Sequence, residues 1–172
     1  MGRNREGGFF YYVMELADDD ASPESIRSVE PDTYVPKTLS NELARRGRLS
    51  IEQVVHLGLS LSQALAELHR HALVHRDVKP SNIIFVKGHA KLADIGLGAH
   101  AGENKRLGTE GYIPPEGPGR PQADIYSLSM VLYEASTGTD RLDYPDLPAD
   151  FDSMAERETF LKLNSVILKG VR

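Results

Sequence analysis

Apolar residues recur at mostly helical spacing in the stretch that follows Ser50. The residues of this stripe are Ile51, Val54, Val55, Leu61, Leu65 and Leu68. Ser50 is followed at the third position by Gln53, which is typical of a capping box at a helix N-terminus. The pattern predicts one long amphipathic helix over about 51–71.

The same reasoning predicts further helices on either side. A shorter helix is expected around Leu39 to Arg46. A second long helix is expected from Asp124 to Thr137, because its middle is strongly apolar and Gly138 suits a C-cap. A last amphipathic helix is expected over 154–169.

Short apolar runs predict strands. The run 9–14 is aromatic and β-branched, follows two glycines and predicts a buried strand. The runs 83–86 and 90–93 are separated by Lys87, Gly88 and His89, which predicts a tight hairpin. The polar stretch 17–36 predicts a loop or flexible insert, and 96–121 and 144–148 are expected to be loops.

Composition narrows the class of protein. The chain has 172 residues, 40% of them apolar, which suits one soluble domain with a core. A net charge of −5 gives no reason to expect nucleic acid or an acidic membrane as partner, and the lack of cysteine excludes disulfides and thiolate metal sites. No apolar run approaches the length of a membrane span, so we expect a cytoplasmic protein.

The stretch V-H-R-D-V-K-P-S-N, Val74 to Asn82, carries the chemistry of the chain. It lies between the long predicted helix and the predicted hairpin, and Asp94 follows the hairpin. Asp77, Lys79, Asn82 and Asp94 are therefore expected to converge. Carboxylate and amide oxygens suit Mg²⁺, a lysine suits a phosphate, and a carboxylate can accept a hydroxyl proton, which together indicate phosphoryl transfer.

H-R-D-V-K-P-S-N resembles the catalytic loop of eukaryotic-type protein kinases, and its lysine resembles the serine/threonine subclass. Other segments are similar to family motifs in the family's order: 12–16 to the strand entering the hinge, 94–96 to D-F-G, 108–116 to the segment ending in A-P-E, and 124–128 to the helix under the catalytic loop. The resemblance runs over about 9–170, and the wording of these motifs is similar to that of bacterial members.

The resemblance implies an α+β, protein-kinase-like fold that is mainly a helical large lobe with a hinge strand and a truncated small lobe. Its parts would be a remnant strand and hinge over 1–16, a polar insert over 17–36 and an incomplete large lobe over 37–172. The expected activity is transfer of phosphate from ATP to serine or threonine of a protein substrate.

The resemblance also implies the roles of individual residues. Asp77 would orient and deprotonate the acceptor hydroxyl, and Lys79 would stabilise the γ-phosphate. Asn82 and Asp94 would hold Mg²⁺. Thr109 would bond to Asp77 and Lys79 and shape the acceptor pocket.

The same comparison assigns an ATP site. Backbone groups of Glu15 and Ala17 would meet the adenine edge, with Met14 behind it and Ile84 against the adenine face. One carboxylate of the run 18–20, with Asp18 the candidate, would reach the ribose.

Each of these residues also has a purely structural reading. Asp77 can be a helix or turn cap, Asp94 and Asn82 can be turn residues, and Lys79 can be a solvated surface charge. The proximity of His69, His71 and His75 suggests a metal cluster. We expect instead that His75 packs and hydrogen-bonds within its loop.

Several family features are missing from these 172 residues. No G-x-G-x-x-G precedes the hinge, and no lysine stands there in a V-A-I-K setting. We expect either a piece of a longer kinase, lacking small-lobe and downstream segments, or a free-standing large lobe. In both cases this polypeptide alone should have little or no kinase activity.

A catalytically silent, kinase-like interaction module is the alternative function, and a small-molecule phosphotransferase is a third. The third is disfavoured by the K-P-S-N lysine and the G-T-x-x-Y segment. Both serve a protein hydroxyl acceptor in the family.

Smaller departures bear on specificity and regulation. Ser129 replaces a glycine of the family pattern, and the segment between Glu116 and Asp124 is shorter than expected. Arg172 cannot be assigned as the arginine that normally pairs with Glu116. Residues 95–108 contain no serine, threonine or tyrosine. We therefore expect no switch by loop phosphorylation.

A fixed charge takes the place of such a phosphate in this reading. Arg76 precedes Asp77, the arrangement used where a phosphate orders the loop. Glu103 would supply the negative charge for Arg76.

Overall fold

The computed structural model describes residues 2–3, 10–11, 14–21, 32–95, 109–148, 151 and 153–171, with the backbone alone at 2–3 and 10–11. Within these ranges, no helix is both long and apolar enough to cross a membrane. Parts of the predicted strand (Phe9, Tyr12 and Val13), of the insert (22–31) and of the glycine-rich loop (96–108, with Glu103) lie outside the described residues, as does Arg172.

Helices α1 and α2 confirm the pattern-based predictions. Helix α1 runs over Leu39–Arg46 and begins at Thr38, whose hydroxyl accepts a hydrogen bond from the backbone of Asn41. Helix α2 runs over Ile51–Arg70, and Ser50 and Gln53 form the predicted capping box in both directions. These local caps satisfy N–H groups that would otherwise lack partners at the first turn.

Helix α3, Pro121–Thr137, lies at the centre of the core. It begins three residues before the predicted Asp124, because Pro121 occupies the first turn, where its fixed φ suits a helix and its missing N–H costs nothing. Gly138 ends the helix in the left-handed region with φ 72°, as predicted. Helix α4, Met154–Gly170, also matches its prediction to within one residue.

The core forms where α2 and α4 pack on α3, with the hairpin 83–92 against α2 and with α1 against the start of that hairpin. Its largest fully buried side chains are Tyr133, Phe160, Leu39, Leu61, Leu65, Ile83, Met130, Ile167, His75, Val54, Val78 and Val131. Val54, Leu61 and Leu65 of the helical stripe are buried, as is Leu57, which the stripe omitted, whereas Val55 is 41% exposed. The amphipathic pattern therefore identifies most of the buried face of this helix.

The hairpin consists of β3, Ile83–Val86, and β4, His89–Leu92, paired antiparallel from Ile83 with Leu92 to Val86 with His89. The sequence places three residues in the turn, but the structure uses only Lys87 and Gly88. Both have positive φ, 52° and 76°, which fits a two-residue hairpin turn that follows the twist of the strands. The predicted β4 therefore begins one residue too late.

The predicted N-terminal strand is only partly confirmed. Strand β1, Gly2–Arg3, pairs antiparallel with β2, Phe10–Tyr11. The expectation that the strand extends to Met14 and is buried is wrong for that residue, which is 47% exposed. An aromatic, β-branched run favours extended chain, but burial also needs a packed neighbour, and in the described residues no strand pairs with 14–16.

The described ends of the polar insert are loop, as predicted, and are tied together at their base. Asp19 and Pro36 form an isolated antiparallel bridge. The hydroxyl of Tyr34 donates a 3.1 Å hydrogen bond to the carbonyl of Ala17. The chain thus leaves and re-enters the fold at one place, between residues 14–17 and α1.

Candidate active site

A buried carboxylate fixes the loop that carries the candidate catalytic residues. Asp124, in the first turn of α3, is fully buried. It accepts hydrogen bonds from the backbone N–H groups of His75, at 2.9 Å, and Arg76, at 2.8 Å. Arg76 has a φ of 69°, so Asp124 holds a backbone conformation that L residues rarely adopt.

The three neighbouring histidines bind different partners. His69 Nε2 lies 2.8 Å from Asp124 Oδ2, and His71 Nδ1 lies 2.9 Å from the carbonyl of Glu67. His75 is fully buried, and its Nε2 lies 3.0 Å from the carbonyl of Ala93. The prediction that His75 packs in its loop is confirmed, and these contacts give the three rings no common centre.

Asp77, Lys79 and Thr109 form a triangle of polar contacts. Lys79 Nζ lies 2.8 Å from Asp77 Oδ2 and donates a 3.0 Å hydrogen bond to Thr109 Oγ1. The Thr109 hydroxyl in turn donates to Asp77 Oδ1 at 3.2 Å. The predicted convergence of Asp77 with Lys79, and the predicted contact of Thr109 with both, are therefore present.

Asn82 completes this arrangement from the 3₁₀ turn Pro80–Asn82. Its side-chain Nδ2 donates to the backbone carbonyl of Asp77 at 2.8 Å and to Asp77 Oδ2 at 2.9 Å. These bonds fix the orientation of the amide, and they use its nitrogen. The oxygen atom of the amide is the one that suits a hard cation.

The position of Asp94 follows from the hairpin. The backbone N–H of Ala93 donates to the carbonyl of Asn82 at 2.8 Å, so Asp94 comes directly after a residue bound to Asn82. Asp94 is exposed and has a φ of 54°. The backbone thus brings Asp94 near Asn82, and a carboxylate and an amide oxygen are ligands that suit Mg²⁺.

A small apolar cluster lies next to these polar groups. It consists of Ala17, Ile84, Val86 and Ala93. Ala17 and Ile84, two of the predicted adenine contacts, therefore lie together, with exposures of 9% and 8%. Met14 and Glu15 are exposed, and the ammonium of Lys91 lowers the pKa of Glu15 by hydrogen bond and charge.

Asp18 has a role that the sequence did not reveal. Its Oδ1 accepts from the backbone N–H of Lys87 at 2.6 Å and its Oδ2 from that of Gly88 at 2.8 Å. These two bonds clasp the segment 14–18 to the hairpin turn, and the expected ribose contact stays a prediction. The signal was available in principle, because a two-residue turn leaves N–H groups that need an acceptor.

The loop after Thr109 is held against α3. The hydroxyl of Tyr112 donates to Glu134, and the hydroxyl of Ser127 donates to the carbonyl of Tyr112 at 2.6 Å. Burial, reinforced by the hydrogen bond with Glu134, raises the pKa of Tyr112. Sequence reasoning missed Glu134 and also Arg141, which contacts the same loop, since neither belongs to a motif that the sequence analysis recognised.

The departure at Ser129 is matched by a glycine on the next helix. Ser129 is buried, and its hydroxyl donates to the carbonyl of Ile125 at 2.9 Å. A Cβ added to Gly170 would lie 2.1 Å from Ser129 Oγ. Helices α3 and α4 can therefore approach here only because residue 170 has no side chain. Glu116 is exposed in this structure.

Comparison with known proteins agrees with this geometry. The family model for the protein kinase domain matches residues 11–164. The serine/threonine-protein kinase PknA of Mycobacterium tuberculosis is 34% identical over 146 residues, which are 78% of this chain and 30% of PknA. The probable serine/threonine-protein kinase PBL20 of Arabidopsis thaliana is 35% identical over 131 residues, 69% of this chain and 32% of PBL20.

A probable serine/threonine-protein kinase of Clostridium perfringens is 30% identical over 131 residues, 70% of this chain and 19% of that protein. The matched region thus spans less than a third of the length of each of these relatives. The α+β fold and the resemblance to bacterial serine/threonine kinases are confirmed. The chain belongs to the protein kinase domain family.

Proposed function

We propose that the protein to which this chain belongs transfers the γ-phosphate of ATP to serine or threonine hydroxyls of protein substrates. The observation that carries the proposal is the arrangement of Asp77, whose carboxylate contacts Lys79, Thr109 and Asn82 at once. A carboxylate held from three sides is suited to orient one hydroxyl and to accept its proton.

The role of Lys79 in the proposal follows from its position. Its ammonium lies between Asp77 and Thr109, and its side chain is 25% exposed, so it remains accessible to a ligand. A positive charge beside the acceptor position stabilises the charge of the phosphoryl group in transit. Thr109 links the two residues and forms one side of the acceptor pocket.

The proposal places Mg²⁺ on the amide oxygen of Asn82 and the carboxylate of Asp94. When bound, the metal neutralises charge on the phosphates of ATP. The backbone groups of Glu15 and Ala17, with Met14 and Ile84, form the proposed adenine wall. Asp18 stays the candidate for the ribose, since each of its oxygens accepts one hydrogen bond from the hairpin turn and can accept a second.

The 172-residue polypeptide by itself is proposed to transfer phosphate slowly. Its residues before Tyr11 contain neither a G-x-G-x-x-G loop nor a lysine. Phosphoryl transfer depends mainly on how the phosphates are positioned. Without the glycine-rich loop and the lysine, transition-state stabilisation should therefore fall by several kcal/mol, roughly the effect of lost orientation in other enzymes. We also propose that the protein works in the cytoplasm, where ATP is available.

The test uses the protein as its source cells make it, isolated with an antibody against this chain. It is incubated with γ-labelled ATP, Mg²⁺ and a mixture of protein acceptors, and the labelled amino acids are identified. We expect label on serine and threonine, lost when Mg²⁺ is chelated. Lys79→Met should reduce transfer, whereas Lys162→Met, an exposed lysine of α4, should not.

Two other results would contradict the proposal. Absence of transfer by the wild-type protein would favour the catalytically silent interaction module. Label found on small molecules but not on protein would favour a small-molecule phosphotransferase.

A further inference from the structure

We propose that Arg141 is a positioning residue for the transfer reaction, and that it holds the loop carrying Thr109 in place opposite Asp77. This inference rests on the proposed function. Arg141 lies in the 3₁₀ turn Arg141–Asp143, which follows α3 and is far in sequence from the catalytic loop. It does not touch the reacting groups and acts through the loop 109–112.

The first contact joins Arg141 to the backbone beside Thr109. Arg141 Nε donates a 2.7 Å hydrogen bond to the carbonyl of Glu110, the residue that follows Thr109. A charged donor on a carbonyl makes a stronger hydrogen bond than a neutral one. The peptide group next to Thr109 is therefore fixed by a side chain from another part of the fold.

The second set of contacts joins the same arginine to α3. The backbone N–H of Arg141 donates to Glu134 Oε1 at 3.3 Å, and its Nη1 lies 3.6 Å from that oxygen. Glu134 also accepts the hydroxyl of Tyr112. Arg141 and Tyr112 thus share one carboxylate on the central helix, which serves as a rigid base for the loop.

Packing reinforces these polar contacts. The guanidinium of Arg141 lies 4.8 Å from the centre of the Tyr112 ring, within the range of a cation–π contact. Gly111 has a φ of 84°, and a Cβ added there would lie 2.7 Å from Arg141 Cγ. The loop therefore lies directly on the arginine side chain, and glycine allows this close approach.

Arg141 is itself well anchored. Asp140 begins the 3₁₀ turn by accepting a hydrogen bond from the backbone of Leu142 at 2.8 Å, and its other oxygen lies 3.4 Å from Arg141 Nη1. The arginine side chain is 21% exposed. Little side-chain freedom remains to be lost when the arginine holds the loop, which makes it an effective anchor.

The consequence concerns the Thr109 hydroxyl. The loop is closed by a hydrogen bond of 3.1 Å from the Tyr112 N–H to the Thr109 carbonyl, and its second half is fixed by Ser127 and Glu134. Arg141 is what fixes the peptide between them, at Glu110. Without it, Thr109 can move away from Asp77, and displacements of about 1 Å at such a site can cost roughly 100-fold in rate.

The experiment compares Arg141→Ala and Arg141→Lys with the wild-type protein as the cells make it. Arg48→Ala is the matched control, since Arg48 is 33% exposed, pairs with Glu156 at 3.7 Å and makes none of the hydrogen bonds described for the loop. For Arg141→Ala we expect kcat to fall roughly 10-fold to 100-fold with KM for ATP unchanged, because the proposed adenine wall is not altered. Arg141→Lys keeps the charge but loses the Nε donor, and its kcat should lie between those of Arg141→Ala and the wild type. The kcat of the Arg48→Ala control should equal that of the wild type.

Hydrogen exchange provides a readout that does not need activity. Exchange of amides in 109–112 should rise in Arg141→Ala and not in Arg48→Ala, while α2 stays protected. Should Arg141→Ala fail to fold, Arg141→Lys, which loses the Nε donor to Glu110 but keeps the charge, replaces it with the same two expectations at smaller size. Unchanged exchange in this loop overturns the positioning role, and so does an unchanged kcat in a protein whose wild type is active. An inactive wild-type protein overturns the proposed function itself.

Discussion

The hydroxyl of Thr109 donates a hydrogen bond of 3.2 Å to the carboxylate of Asp77, across 32 positions of sequence. It joins the loop before α3 to the loop after α2. Both loops are fixed to α3 independently, through Asp124 on one side and through Tyr112 and Glu134 on the other. The central helix therefore sets the distance between the two halves of the proposed active site.

Replacing Thr109 tests this relationship. Thr109→Val keeps the shape but removes the hydroxyl that bridges Asp77 and Lys79, and we expect phosphate transfer to fall by roughly 10-fold to 100-fold. Thr109→Ser keeps the hydroxyl and should retain most of the rate. The measurement is kcat for both variants of the native protein. Equal losses of kcat in Thr109→Val and Thr109→Ser would show that the hydroxyl does not contribute to the rate.

Asp124→Asn should be strongly destabilising. The fully buried carboxylate accepts two backbone N–H groups and contacts His69, and an amide cannot satisfy all three donors. We expect the free energy of unfolding to fall by about 1.5–3 kcal/mol, the range for hydrogen bonds to a charged group. Urea denaturation measures it, with the exposed Asp143→Asn as control. A loss in Asp124→Asn no larger than in the control would refute the role of this carboxylate.

The contact between α3 and α4 predicts a coupled pair. Gly170→Ala should cost about 1 kcal/mol or more, because the new methyl group meets the buried hydroxyl of Ser129. In a Ser129→Ala background the main clash is gone, and the same change should be nearly neutral. A double-mutant cycle by chemical denaturation measures the coupling. Additive effects would mean that the hydroxyl does not restrict residue 170.

The raised pKa of Tyr112 predicts a pH dependence of stability. Above its ordinary pKa of 10.0 the unfolded chain releases the phenolic proton, whereas the folded chain retains it because of burial and the bond to Glu134. The unfolded state then binds fewer protons, so the free energy of unfolding falls as pH rises past this value.

Tyr112→Phe removes this contribution, and its stability should fall less steeply between about pH 9 and 11 than that of the wild type. Urea denaturation midpoints at a series of pH values measure the two slopes. The other tyrosines are the same in both proteins, so parallel curves would contradict the assignment to Tyr112.

Local signals explain why so much of the fold could be predicted. The stripe from Ile51 to Leu68 and the capping box at Ser50 depend only on residues close in sequence, and α2 follows them almost to the residue. The chemistry of 74–82 was also predictable, since Asp77, Lys79 and Asn82 lie within one short loop and can converge without knowledge of distant contacts.

Errors and omissions occurred where a role depends on residues distant in sequence. Asp18 clasps a turn 69 positions away, and Arg141 contacts Glu110 at a separation of 31, which no local pattern indicates. Met14 was expected to be buried because its run favours a strand, yet burial depends on a neighbour that a local pattern does not reveal. The late start predicted for β4 reflects a turn conformation that depends on positive φ at Lys87 and Gly88.

The central claim is that the carboxylate of Asp77 orients the acceptor hydroxyl and accepts its proton during phosphate transfer. The most direct measurement is the rate of transfer from γ-labelled ATP to protein serine and threonine by the native protein with Asp77→Asn, beside the wild type and the Asp143→Asn control. We predict a loss of roughly 100-fold or more for Asp77→Asn, the usual effect of removing a general base, and no loss in the control. An Asp77→Asn protein that transfers phosphate at the wild-type rate would contradict the account.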